Sequence, residues 1–200
     1  MIAAISLMRK REDISLAAFR RHWLDVHGPL VCRFPALRHY VQDHVIESPV
    51  MNEAARAMRI DGFPILLFDN DADRLRAHQS PEMAACNVDS RAFIGAVSRV
   101  ICEQNVVVPM GDDAGRIRVL ALLLDETANH EFVAAACARP GLHGLVRYEV
   151  LQQGPAPNST IPHLPVRTAG IVELLFDLEW AMTGNVPDAA YFVVERHRLV

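Results

Sequence analysis

Short apolar runs alternate with stretches of helical period along the whole chain. "IAAISLM" (2–8) and "RVLALLL" (118–124) are rich in branched and apolar residues and too short for a helix, so they predict strands. In the first half the strands fall at roughly 2–9, 38–47, 62–69 and 101–108. Ser15 is a favourable N-cap, and Leu16, Phe19, Trp23 and Val26 follow it at three- and four-residue steps, which predicts one buried face of a helix. Gly28 and Pro29 end that helix. A second helical region starts after Asn70-Asp71, breaks near Ser80-Pro81 and resumes from Ala92 to Val97. In the second half the matching helices fall near 127–138 and 178–184.

The chain repeats itself. "PALRHYVQDHVIES" (35–48) matches "PGLHGLVRYEVLQQ" (140–153), with Pro35, Leu37, Val41 and Val45 against Pro140, Leu142, Val146 and Val150 at one offset. "PILLFD" (64–69) matches "VELLFD" (172–177), and both halves open and close on an apolar run. The Gly- and Asp-rich "PMGDDAGR" (109–116) reads as a linker. Each half has the order strand, helix, strand, strand, helix, strand, which is the split βαβ arrangement with helices on one face of an antiparallel sheet. One such sheet leaves its other face bare and apolar, and two copies in one chain can cover each other. The expected fold is therefore α+β: two ferredoxin-like (βαββαβ) repeats, 1–109 and a degenerate 116–200, forming an intramolecular α+β barrel.

Composition narrows the classes. At 51% hydrophobic and 22% charged, the 200 residues can build a packed core and carry no disorder signature. A net charge of −4 gives no electrostatic reason to expect nucleic acid. No apolar run approaches the ~18 residues of a membrane span, and the start lacks the order of a signal peptide, so a cytoplasmic protein is expected. Cys32, Cys86, Cys102 and Cys137 form no CxxC pair and read as reduced, mostly buried thiols.

"ISLAAFRRHWLDVHGPL" resembles the signature of the EthD family, in which a Phe and a Trp on the first helix precede a His, a small residue and Pro. "RHYVQDHVI" and "DGFPILLFDN" resemble that family's second and third strands, and the likeness covers about residues 1–108. The second half resembles a degenerate copy without the Trp-His motif. The resemblance implies a dimeric α+β barrel and a pocket between sheet and helices for small, often aromatic or polyketide-like molecules. Relatives include lactone isomerases, dehydratases, cofactor-free oxygenases and members without known activity.

Trp23 and His27 stand four residues apart on the helix face that points to the sheet. His27 is thus a polar group on a core-facing stripe near a helix end, where the macrodipole and burial pull its pKa in opposite directions. It is the candidate general acid or base; the alternative is a core histidine bonded to a helix-end carbonyl. In a strand Tyr40, Gln42 and His44 share one face, expected to meet the helices, while Val41 and Val45 share the other. Tyr40 and His44 join His27 as candidate catalytic residues. Trp23, Phe19, Gln42 and Asp61 are the candidate substrate contacts, although Asp61 could equally cap a turn. His22 reads as solvated and His78 as exposed. The histidine spacings do not give a zinc pattern, and no GxGxxG, GxxxxGK[ST] or GxSxG motif occurs, so neither metal nor cofactor is expected. The leading reading is a cofactor-independent isomerase or dehydratase acting on a small apolar or aromatic metabolite. The alternative is a non-catalytic binding or accessory protein of a degradation or monooxygenase pathway. The expected partner is a small-molecule ligand, with neither nucleic acid nor membrane, and a homodimer is compatible with such a chain.

Overall fold

The computed structural model describes residues 1–125, 128–155, 160–177 and 189–200, without the side chains of 128–130. Eight strands form a closed antiparallel barrel: β1 (Ile2–Lys10), β2 (His39–Val45), β3 (Gly62–Phe68), β4 (Ile94–Val108), β5 (Arg116–Leu123), β6 (Leu142–Gly154), β7 (Gly170–Asp177) and β8 (Ala189–Arg198). Around the barrel they run β1-β3-β2-β8-β5-β7-β6-β4 and back to β1. Residues 1–108 thus supply the contiguous set β4-β1-β3-β2 and the rest of the chain supplies β8-β5-β7-β6. The seams are the β2–β8 and β4–β6 ladders. Closure leaves no barrel edge open to another strand. The matched segments of the sequence fall on β2 and β6, and on β3 and β7.

The strands follow from alternation. Ala3, Ile5 and Leu7 of β1 enter the main core with Ile65, Val100, Leu120 and Phe192. Ala4, Ser6 and Met8 face the helices instead. The helical side of the N-terminal half holds α1 (Leu16–His22), a π-helical turn (Trp23–His27), α2 (Gly28–Val31), α4 (Asp71–His78) and α5 (Pro81–Ser90), while α3 (Glu53–Met58) precedes β3 and α6 (Ala128–Cys137) follows β5. Ser15 caps α1 as expected, its hydroxyl accepting from the Ala18 N–H.

Several sequence expectations change. The helix does not stop at Gly28-Pro29 but continues to Val31 through the π turn. Pro29 has no N–H and its ring would strike the carbonyl four residues back. The Gly28 N–H reaches five residues back to the Trp23 carbonyl, and the widened turn accommodates the proline. The buried stripe differs from the expected one: Phe19, Trp23 and His27 point inward, whereas Leu16 at the start of α1 and Val26 in the π turn are 36% and 47% exposed. Residues 94–97, expected as helix, begin β4, because Ile94 and Val97 pair with Lys10 and Met8 of β1. The helix α3 was without a sequence signal, and the expected helix at 178–184 lies outside the described residues. All four cysteines are free, yet Cys137 is exposed.

Gly62 lets α1 dock. A Cβ at this position would meet Trp23 Cζ3 at 2.4 Å and Cη2 at 2.8 Å. Gly62→Ala therefore forces the indole or β3 to move, and is expected to lower unfolding free energy by about 1–3 kcal/mol. A urea transition at unchanged midpoint would show that the indole has room to shift without cost.

Candidate functional site

The chemistry collects on one face of the N-terminal sheet. Trp23 lies flat on His44, with ring centroids 4.4 Å apart and planes at 8°, and Phe19 packs behind it at 5.5 Å. Gln42 Nε2 donates to the Trp23 carbonyl (2.9 Å) and to the Tyr40 hydroxyl (2.8 Å). Its Oε1 must then accept from His44 Nε2 at 3.1 Å, so that nitrogen carries the proton. Burial, with His197 and Arg20 nearby, pulls the His44 pKa down to about 3, so the ring is neutral. The chain of donors runs from His44 through Gln42 to Tyr40. Since the Tyr40 oxygen accepts from Gln42, its own proton is left to give elsewhere. Burial pushes the Tyr40 pKa well up, which keeps the phenol protonated.

Between this sheet face and the helices lies a cavity of about 110 Å³. Trp23, His27 and Tyr40 line it. So do Ser6 of β1, Leu66 and Phe68 of β3, Arg99 and Ile101 of β4, and Arg74, His78 and Cys86 of α4 and α5. Ile161 enters its wall from the C-terminal half. The volume is somewhat below the ~150 Å³ of an engineered apolar cavity that takes up benzene, which suits a single-ring ligand.

His27 is held by a residue with no motif in the sequence. Its Nδ1 lies 2.8 Å from one oxygen of Asp89, at the end of α5, and the other oxygen takes His22 Nε2 at 3.0 Å. A carboxylate accepts, so Nδ1 carries the His27 proton and Nε2 is the unprotonated nitrogen. No described residue bonds Nε2. Burial pulls the His27 pKa below its ordinary 6.5, against the raising effect of Asp89, so the imidazole is neutral at pH 7. Phe93 supports both His22 and His27 rings at 5.0 Å. His22 is accordingly half-buried rather than solvated, because Asp89 binds it. His78 is likewise half-buried and meets Arg99 rather than water.

The remaining candidates sit apart from the cavity. Gln42, His44 and Phe19 lie behind Trp23 and Tyr40. The Asp61 carboxylate accepts the Lys10 N–H at 2.8 Å and lines a different cleft with Arg9, Arg56 and Arg59. Cys86 reaches the cavity, but burial pushes its thiol up to about 12, out of nucleophilic range at neutral pH. Among the described residues no three His, Cys, Asp or Glu side chains converge on a metal position. No helix among them is long and apolar enough to cross a membrane.

A closed antiparallel barrel with helices over one sheet face and a small polar-studded cavity beneath them defines an α+β barrel protein. Residues 11–96 match the family model of the EthD domain. An EthD-family protein from Bacillus halodurans matches 52% of this chain with 97% of its own, at 24% identity and a TM-score of 0.44. An anthrone oxidase-like protein matches 99% of this chain with 93% of its own, at 8% identity and a TM-score of 0.61. A monooxygenase-like protein from Fusobacterium nucleatum matches 98% with 91% of its own, at 4% identity and a TM-score of 0.58. The last two share the barrel over its whole length. No curated protein sequence matches the chain.

Proposed function

We propose that the EthD domain transfers protons on a small apolar or aromatic metabolite, without a cofactor, in an isomerase- or dehydratase-type reaction. The observation that carries this is the Asp89–His27 pair, in which a neutral imidazole on a cavity-lining residue is held through Nδ1 and leaves Nε2 unbonded among the described residues. In the proposed cycle Nε2 takes a proton from carbon beside a substrate carbonyl, and the Tyr40 O–H donates to the oxygen as it becomes an enolate. The imidazolium returns the same proton to another carbon, or to a departing hydroxyl that leaves as water. Trp23 walls the site, and Gln42 and His44 act at one remove by orienting Tyr40. The barrel itself we read as two ferredoxin-like units in tandem, 1–109 and 116–200, the second structural.

The rival reading, a binding or accessory protein, draws on the self-satisfied His44–Gln42–Tyr40 chain, which would stiffen a ligand cavity equally well. Histidine NMR separates the two, with His27→Gln to assign the resonance. The expected result is a His27 midpoint below 6.5 that moves when a small single-ring lactone is added, together with exchange of the lactone's α-protons in D2O. The rate of that exchange should fall on the acid side, since only neutral His27 accepts a proton, with its inflection below 6.5. A shift on binding with no exchange supports the rival; neither effect sinks both.

A further inference from the structure

Three residues lining the same cavity are basic and stand outside the proton-transfer set: Arg99 on β4, with Arg74 and His78 on α4. Ile101 pairs with Ala4, Ala4 with Leu66 and Leu66 with Tyr40, so one cross-strand row spans the cavity floor from β4, which carries Arg99, to Tyr40, about 14 Å at three strand spacings. The cationic wall and the Tyr40 wall are therefore on different sides of the cavity. Arg74 has a carboxylate partner, Asp71, at 2.6 Å. Arg99 has none among the described residues; its Nη1 donates to His78 Nδ1 at 3.2 Å. For Nδ1 to accept, His78 must be neutral, and burial, then Arg99 and Arg74, do push its pKa down. Burial and the neighbouring Arg74 pull Arg99 down to about 10, which still leaves it charged at neutral pH.

A largely buried guanidinium beside a like charge, without a carboxylate, is an arrangement that folding normally avoids. The wall around it includes Leu66, Phe68 and Ile101, and its hydrogen-bond partner His78 is neutral, so no acidic group among the described residues answers the charge. We infer that the cavity selects an anionic single-ring compound, an aromatic carboxylate, whose carboxylate sits on Arg99 and Arg74 while its ring lies toward Trp23. The inference rests on the reading that this cavity binds a small molecule, and it names the class of that molecule. Guanidinium and carboxylate match as a two-pronged pair, which lysine does not reproduce. A neutral ester of the same shape loses the charge and keeps the ring.

The test compares benzoate with methyl benzoate on the full chain, by calorimetry and by the indole N–H resonance of Trp23. Benzoate is expected to bind at least about 10-fold tighter than the ester, a difference of one charge-assisted pair. Arg99→Gln should weaken benzoate by a similar factor and leave the ester within about twofold, while Arg99→Lys recovers part of the loss. Arg74→Gln, on the helix side of the cavity, carries the same comparison if Arg99→Gln does not fold. Equal affinity for the two compounds, or equal weakening of both by Arg99→Gln, overturns the anion assignment and leaves a small-molecule cavity standing. If neither compound binds or moves the Trp23 resonance, the cavity reading falls with it.

Discussion

Asp89→Asn slows α-proton exchange of a bound lactone by about 10²–10⁴-fold while ligand affinity stays within about threefold. The asparagine keeps the shape of the carboxylate but offers one acceptor and one donor where the aspartate offers two acceptors. Two imidazoles compete for it, His22 Nε2 and His27 Nδ1. When the amide nitrogen faces His27, Nδ1 must accept and the proton moves to Nε2, so the atom at the cavity turns from base to donor. The negative charge that would stabilise the imidazolium formed in the reaction is also lost. His27→Ala removes the base outright and should be at least as severe. His22→Gln should change the rate by less than about tenfold, because it leaves Asp89 and His27 paired. The readout is ¹H NMR in D2O alongside binding. An Asp89→Asn protein with a wild-type exchange rate would remove His27 from the mechanism, and unchanged binding with slow exchange would separate orientation of the base from formation of the cavity.

The parts of the site legible in the sequence are those governed by short-range geometry. Strand parity is enough to put Tyr40, Gln42 and His44 on one face and Val41 with Val45 on the other, since a strand has a period of two whatever surrounds it. A four-residue step puts Trp23 and His27 on one side of the first helical segment, and the π turn preserves that pair, although Leu16 and Val26 lie outside the buried stripe. What the local pattern cannot carry is partnership. Asp89 lies 62 positions from His27, at the end of a helix whose mixed composition, "PEMAACNVDS", announces nothing. Arg99 reads as one charge in an apolar run, and only pairing of β4 with β1 turns it toward the helices. The π turn has a single local sign, Pro29 placed four residues after Asp25. The internal repeat foretells two matching halves, but not that their sheets join edge to edge through β2–β8 and β4–β6.

Asp43 shows the same limit inside the barrel, and leads to the largest expected loss of stability. It shares the strand face of Val41 and Val45, which parity marks as apolar, yet it is fully buried and bound at both oxygens by Arg196 of β8, at 2.6 and 2.7 Å. Arg196 continues to Glu173 of β7 at 2.6 Å; Glu173 also pairs with Arg118 of β5 and accepts from the Tyr148 hydroxyl at 3.0 Å. The two buried carboxylates and two guanidiniums thus neutralise one another across the β2–β8 seam that joins the halves, and the exposed Asp113 is a further partner of Arg118 at the rim. Glu173→Gln leaves this buried set with an excess positive charge, and is expected to cost about 3–5 kcal/mol, or roughly 6–20 °C in thermal midpoint for a chain of this size. Adding Arg118→Met restores neutrality among the buried groups, leaves Asp113 to water and Arg198, and should return much of that loss, because a balanced apolar replacement avoids the desolvation of both buried charges. The two buried carboxylates contribute to the pH dependence with opposite signs, because burial pushes the Asp43 carboxyl up whereas Glu173 is held down. Burial pushes the Glu173 carboxyl up, but Arg196 and Arg118 outweigh it and hold it below its ordinary 4.5. Its contribution is therefore complete above about pH 4.5 and is lost as the pH falls through the lower folded value. Urea transitions of the single and double variants between pH 3 and 7 test both statements. A double variant no more stable than Glu173→Gln alone would mean that specific hydrogen bonding to Glu173, and not charge balance, holds the seam.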